Sequence, residues 1–390
     1  MAFGGDVATL GIRIDTSGAD KGKTSLKGVS DAAKGAEKSV GDLGNKSVAA
    51  GAAASKSFKG VGLIVAAVAG ALQGLASSIS VLSELERSMS KLSAVSRATG
   101  GEMDAMRKVA KRLGVETEFS TKQAADGMTF LAMAGFSARD AMATIPAVVD
   151  LATAASMGLA EAADTASNIM SGFSLSAKEA SKATDILTAA STRANTNVSQ
   201  LGQAMKFVGP VASSLGISMS EAAAAVGVLS DAGIQGGMAG TSLRNILSRL
   251  VTPTKDASNA LKEMGISLAQ VNPATVDLTD IMDLFHEKGM SAAQAMRIFG
   301  MEGGPAALAM VAATDRLGDL TDELGNVDGA TKETADTMRD NLGGDLDSLQ
   351  SALMGVITAL GDAGLTAVLR GVVKAMTEVL RLTAKLITAL

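Results

Sequence analysis

The chain has 390 residues, a net charge of −5, and 47% hydrophobic but only 2% aromatic residues, with no cysteine. The missing cysteines exclude disulfides, thiolate nucleophiles and cysteine-ligated zinc, and the acidic balance argues against a broad basic surface for nucleic acid. Since large rings are scarce, alanine, leucine, valine and the 21 methionines must fill the core. Small side chains let helices approach closely, so we expect thin helical bundles without an enzyme-like core.

The first 58 residues predict a short strand followed by a polar segment. The opening residues 1–6 lack the basic stretch and apolar run of a secretory signal. Leu10, Ile12 and Ile14 alternate with other residues, which is typical of a strand. Residues 19–58 are rich in Lys, Ser, Gly and Ala with weak periodicity, so we expect a marginal helix or a flexible segment that orders beside partners.

Residues 59–98 predict an apolar helix followed by an amphipathic helix. The stretch 61–82 is uncharged and about long enough to span a bilayer. Its polar Gln73 and serines favour a buried, self-associating helix at rest, with membrane insertion in another state left open. A stripe of small residues would permit close helix contact; its members are Gly62, Ala66, Gly70 and Gly74.

Residues 99–345 predict a domain of short, alanine-rich helices. Ser120–Gln123, Ser176–Glu179 and Ser218–Glu221 match the capping box, in which a serine and an acid or amide three residues later satisfy the first helical amides. Asn197 and Ser291 begin looser versions. Because the breaks between these helices are brief, we expect stacked antiparallel hairpins in an all-α fold.

Residues 346–390 predict a long amphipathic helix of coiled-coil type. After an interruption at the glycines of residues 361–364, apolar positions from Leu365 follow alternating steps of four and three over more than three heptads, with the charged residues off this seam. We expect self-association along the seam, with packing back onto the core as the alternative. The seam consists of Leu365, Leu369, Val372, Met376, Val379, Leu386 and Leu390, with Thr383 as its one polar member.

No stretch of the sequence carries a catalytic pattern. His286 is the single histidine, and Asp283 and Glu287 are not spaced to form a ligand face with it. Residues 300–305 lack the Lys-Ser/Thr pair of a phosphate loop. The glycines at 236–240 are consistent with an anion site at a helix N-terminus, but glycine turns before a capped helix are the better interpretation. We therefore expect no enzyme, no cofactor and no metal site.

Five segments, taken together and in order, resemble the core domain of phage tail tape-measure proteins of the minor-tail family, over roughly residues 80–350. They are Glu118–Ala125, Ala134–Ser137, Gly237–Arg244, Phe299–Ala307 and Met338–Leu342. The resemblance implies a phage or prophage protein that sets tail length. Tube subunits would polymerise around several copies, and the copies would leave the tail during genome ejection. It also implies synthesis in the host bacterial cytoplasm and a place inside the virion tail.

The resemblance further implies the partners. These are the tail tube protein, tail-assembly chaperones and tail-tip or baseplate hub proteins, together with a homo-oligomer, for which we favour a trimer, and host membrane contact on ejection. Such proteins are usually much longer than 390 residues, so we expect a truncation, a fragment or an unusually short member. Even a fully helical chain of this length would span only ~585 Å. The alternatives are a membrane-active pore-forming protein and, less favoured, a tail-borne wall hydrolase.

Overall fold

A computed structural model describes residues 80–348 together with Ser351 and Thr358. The chain divides into two units, one of residues 83–356 and the other of residues 1–82 with 357–390. Nearly all described residues belong to the first of these. The predicted strand at 10–14, the small-residue stripe at 62–74 and the C-terminal seam from Leu365 lie outside the described residues.

The described residues form helices and contain no strand, which confirms the predicted all-α class. Helix α1 is described over residues 80–96, and residues 342–348 are helical again after α14. Short 3-10 turns occur at Ala177–Glu179 and Leu268–Val271. The remaining helices are α2 Gly100–Glu116, α3 Thr121–Met133, α4 Ala138–Ala154, α5 Leu159–Gly172, α6 Ala180–Arg193, α7 Val198–Ser214, α8 Met219–Asp231, α9 Gly236–Val251, α10 Lys255–Glu263, α11 Leu278–Glu287, α12 Ala292–Ala312, α13 Thr314–Gly325 and α14 Ala330–Arg339.

Each of the five predicted cap residues begins a helical element, four of them an α-helix and Ser176 a 3-10 turn. Ser120 accepts a hydrogen bond from the backbone of Gln123, whose side chain bonds back to Ser120. Ser291 and Gln294 form the same reciprocal pair at α12, and Asn197 caps α7. Each such cap satisfies amides that have no partner inside the helix. The box predicted at Ser218 is only half formed, because the Glu221 side chain is used elsewhere.

Helices that alternate along the chain pack side by side in two rows. One row contains α3, α5, α7 and α9, and the second contains α4, α6 and α8. α13 packs on α8, while α14 returns to pack on α4 and α6. The contact between α7 and α9 is the most extensive in the molecule. This arrangement brings residues from the two ends of the core domain together.

Small residues and methionines fill the core, as the composition predicts. Met106, Met128 and Met170 are fully buried, in one apolar cluster that runs from Leu85 to Val327. Helices α7 and α9 approach so closely at Gly240 that an added Cβ would lie 2.1 Å from the carbonyl oxygen of Ala204. Large rings are rare inside, and Phe285 and Phe299 form an edge-to-face pair with centroids 5.6 Å apart.

Candidate functional site

His286, the one residue of interest as a catalytic candidate, lies on the surface of α11. The side chain is exposed, and its Nδ1 lies 3.1 Å from the carbonyl oxygen of Val311. The Asp283 carboxylate accepts a hydrogen bond from the Thr314 hydroxyl. Within residues 80–348 no three His, Asp or Glu side chains are grouped to hold a metal ion. The hydrogen bonds of His286 and Asp283 join α11 to the end of α12 and the start of α13.

The glycines at 236–240 form the start of a helix that is held by amide side chains. Gln235 precedes α9, and its Nε2 donates to the carbonyl oxygen of Asn195 at 2.8 Å. Gln200 donates to Gln235 Oε1 at 3.1 Å. Gly236 has a φ of 57°, a left-handed conformation that favours glycine. The predicted turn before a capped helix is therefore wrong, because the glycines lie inside α9 and its start has no side-chain cap.

The first and the last of the family-like segments meet at Arg339. Its Nε donates to Glu118 Oε2 at 2.8 Å, and its other nitrogens donate to Asp150 Oδ1 at 3.0 Å and to the Thr153 hydroxyl at 2.9 Å. Thr153 in turn donates to Glu118. Burial lowers the pKa of Arg339, but its hydrogen bonds to Glu118 and Asp150 outweigh burial and raise that pKa. This ion cluster ties the end of α14 to the segment before α3 and to α4.

The third and fourth family-like segments meet around an open apolar groove. Asn245 on α9 donates to Glu302 Oε2 on α12 at 2.7 Å. Gly300 interrupts α12 with a φ of 77° and a ψ of −178°, a conformation that is nearly restricted to glycine. The following Met301 is 80% exposed. The groove has a volume of about 580 Å³ and is lined by Phe207, Met238, Met301 and their neighbours.

A buried carboxylate on α6 holds the start of α14. Asp185 is only 4% exposed, and its two oxygens accept hydrogen bonds from the backbone amides of Gly329 and Thr331, each at 2.8 Å. The Thr331 hydroxyl lies 3.0 Å from that of Thr188. Because α14 has no side-chain cap of its own, Asp185 supplies the acceptors that its first turn requires.

A second buried carboxylate explains why the capping box at Ser218 is incomplete. Ser218 caps α8, but Glu221 Oε1 instead accepts the backbone amide of Leu278 at 2.6 Å and so joins α8 to the start of α11. Burial raises the pKa of Glu221 despite this hydrogen bond, and the negative charges of Asp277 and Asp280 add to the effect. The ionised carboxyl is therefore less favourable in the folded state than in the unfolded state.

We expect Glu221→Gln to raise the melting temperature at pH 7. A folded pKa above the unfolded value means that wild-type stability falls as pH rises from the unfolded pKa through the folded one. Glutamine keeps an acceptor for Leu278 and carries no charge. Thermal unfolding of both proteins at several pH values tests this, and the difference should nearly vanish below about pH 4, where the wild-type carboxyl is protonated.

Glu221→Ala is the matched control for this prediction. It removes the charge and also the acceptor, which leaves the Leu278 amide unsatisfied at a cost of about 1–3 kcal/mol. The alanine variant should be less stable than wild type at every pH. A glutamine variant that melts below wild type at pH 7 would show that the charge itself is needed.

Neither the groove nor the ion cluster was predicted from the sequence. Met238 and Met301 lie in glycine-rich stretches and Phe207 lies in an apolar one, and the pattern gives no indication that the three share a surface. The one available signal is the resemblance itself, because the segments that carry it are those that meet here. Arg339 and Glu118 both lie within such segments.

In the part of the chain that the structure describes, no single helix combines the length and apolarity needed to cross a membrane. Only α4 and α5 taken together, bent by 118° at their junction, meet that test by length and composition.

Comparison with known proteins identifies relatives over most of the chain. The phage-related minor tail protein family matches residues 107–301. The "Tape measure protein" of Pneumococcus phage Dp-1 is 34% identical over 354 residues, covering 84% of this chain and 30% of that protein. The "Probable tape measure protein" of Escherichia phage P2 is 35% identical over 271 residues, or 67% of this chain and 33% of that protein.

The chain thus spans about a third of the length of both curated relatives. No solved structure matches it. These relatives give no support to the alternative of a membrane-active pore-forming protein. The family match covers half of the chain, and it confirms the resemblance seen in the sequence. The chain belongs to the family of phage-related minor tail proteins.

Proposed function

We propose that the chain acts as a phage tail tape-measure protein, which sets tail length and scaffolds assembly of the tail tube around it. The observation that carries this proposal is the similarity to two curated tape measure proteins at 34% and 35% identity. The proposal places the chain in the interior of the virion tail after synthesis in the host cytoplasm. The partners are the tube protein, assembly chaperones and the tip or hub proteins, and release accompanies genome delivery.

The proposal treats the core domain, residues 99–345, as a folded anchor and not as the measuring element. The close contact at Gly240 and the ion cluster at Arg339 favour one packed domain there. We infer that its two helix rows are built as stacked antiparallel hairpins. A ruler needs length that changes in proportion to residue number, which an extended helix provides at 1.5 Å per residue. The proposal includes no catalytic step, because the names of both relatives describe a tape measure protein and not an enzyme.

In-frame deletions in the phage gene for the tape-measure protein test whether its length sets the length of the tail. Deleting 100 residues of helical tape outside 99–345 should shorten the tail by about 150 Å, as measured by electron microscopy of purified particles. A deletion within Thr117–Pro253 should instead abolish assembly, because it exposes the faces of a packed domain. Tails of normal length after a large deletion outside the core would contradict the ruler assignment.

We also propose that the seam from Leu365 to Leu390 joins copies of the chain, with three copies favoured. The supporting observation is its sustained heptad spacing with charges off the seam. Val372→Asp combined with Val379→Asp would place unpaired charges in an apolar contact, which is costly. We expect the double variant to sediment with a lower mass than the wild-type chain. A wild-type chain that is already monomeric at high concentration would contradict self-association through the seam.

A further inference from the structure

The groove between α7, α9 and α12 is lined by exposed apolar side chains. Phe207, Met238 and Met301 are 45%, 64% and 80% exposed and line one groove. Contiguous exposed apolar residues of this kind mark binding surfaces more often than scattered ones do. Methionine adapts its shape to a partner, because its side chain is unbranched and polarisable. The groove therefore has the character of a site for an apolar segment.

Two arginines lie beside the groove, and its lining contains one charged residue, Glu302. Arg244 lies 6.0 Å from the centre of the Phe207 ring, and Arg249 lies near the kink in α12 at Gly300. Among residues 80–348 neither guanidinium pairs with a carboxylate, and the nearby Glu302 is bonded to Asn245. An occupant that carries carboxylates next to an apolar stripe would satisfy both features at once.

The segment that follows α14 has this chemistry. Residues 342–348 are helical, and Leu342 and Leu346, one turn apart on the same face, are 75% and 57% exposed. Asp340, Asp345 and Asp347 are exposed beside them, and in the described part of the chain no lysine or arginine pairs with these three. The segment is therefore acidic and apolar, while the groove is apolar and has two arginines and one glutamate beside it.

We propose that the segment 340–348 of one copy docks into the groove of a second copy, with its leucines against Phe207, Met238 and Met301. Within one molecule the leucines are exposed and the groove contains none of these residues. The contact joins different surfaces on the two copies, so it repeats head to tail and links copies in a row. The C-terminal seam is a poorer occupant, since Arg370, Lys374, Arg381 and Lys385 would repel Arg244 and Arg249.

The absence of cysteine from the chain permits a direct test by cross-linking. Full-length Met238→Cys and Leu346→Cys proteins, one carrying a tag, are mixed and treated with a short bismaleimide linker. We expect the mixed covalent dimer to form at least about tenfold faster than with Met133→Cys in place of Met238→Cys, because docking raises the local concentration of the paired thiols. Met133 is a suitable control because it is 62% exposed and lies on α3, away from the groove.

Charge reversal makes the test specific to this pair of surfaces. Arg244→Glu with Arg249→Glu should remove the excess cross-linking, and Asp345→Lys with Asp347→Lys on the other copy should restore it. Restoration also shows that the reversed proteins are folded. Three results would each overturn the proposal. They are equal cross-linking rates for Met133→Cys and Met238→Cys, a predominant link between two Met238→Cys copies, and a link within one chain that carries both cysteines. The last result would place the segment in its own groove.

Discussion

Gly240→Ala should destabilise the core domain by about 3 kcal/mol or more, the upper end of what overpacking costs. The added Cβ would lie 2.1 Å from the carbonyl oxygen of Ala204 and 2.7 Å from its Cα. These are backbone atoms in the middle of α7, so no side-chain rotation relieves the clash. Helices α7 and α9 would have to separate along the most extensive contact of the molecule. Urea unfolding followed by circular dichroism measures the loss.

Gly101→Ala is the matched control. Gly101 also lies within a helix, but an added Cβ there meets nothing within 4 Å. Alanine in an exposed helix position gains up to about 1 kcal/mol over glycine, because the unfolded chain loses freedom. We therefore expect the control to be as stable as wild type or more stable. Equal unfolding curves for the two variants would show that α7 and α9 are not in contact at Gly240.

Gly240 also shows where prediction from sequence reaches its limit. The glycines at 236–240 indicate a turn beside a helix, because local turns depend on residues that are close in the chain, but α9 already begins at Gly236 and has no side-chain cap. The need for glycine at 240 depends on Ala204, which belongs to another helix. The same limit applies to Ser218 and Glu221, where the local pattern predicts a reciprocal cap. The distant amide of Leu278 binds the carboxylate instead.

The candidate surfaces were beyond prediction for a related reason. The all-α class follows from composition, and five of the helices α2–α14 begin at serine or asparagine caps, which are local signals. The order in which helices neighbour one another does not, since similar alanine-rich faces fit several partners. Arg339 and Glu118 are 221 positions apart, and only the return of α14 to α4 and α6 brings them together. The groove likewise appears only once α7, α9 and α12 are in contact.

Arg339→Ala should lower the free energy of unfolding by about 2–3 kcal/mol, somewhat less than the ~3–5 kcal/mol for breaking a fully buried ion pair. Glu118 and Asp150 would lose their shared counter-charge while their side chains remain only 16% and 26% exposed. Their partial contact with water is the reason for the smaller value. Arg339→Lys should recover part of the loss, since an ammonium group cannot reproduce the planar fork that contacts both carboxylates.

Arg297→Ala is the control that separates burial from ion pairing as such. Arg297 also pairs with two carboxylates, Asp256 and Glu263, but their side chains are 63% and 56% exposed. An exposed pair contributes little to stability because water screens it, so this variant should unfold close to wild type in urea. Adding Glu118→Gln to Arg339→Ala should restore some stability, because it removes one of the two carboxylates that the alanine leaves without a partner. If Arg297→Ala costs as much as Arg339→Ala, or if Glu118→Gln lowers stability further, the unpaired charge is not the cause of the loss.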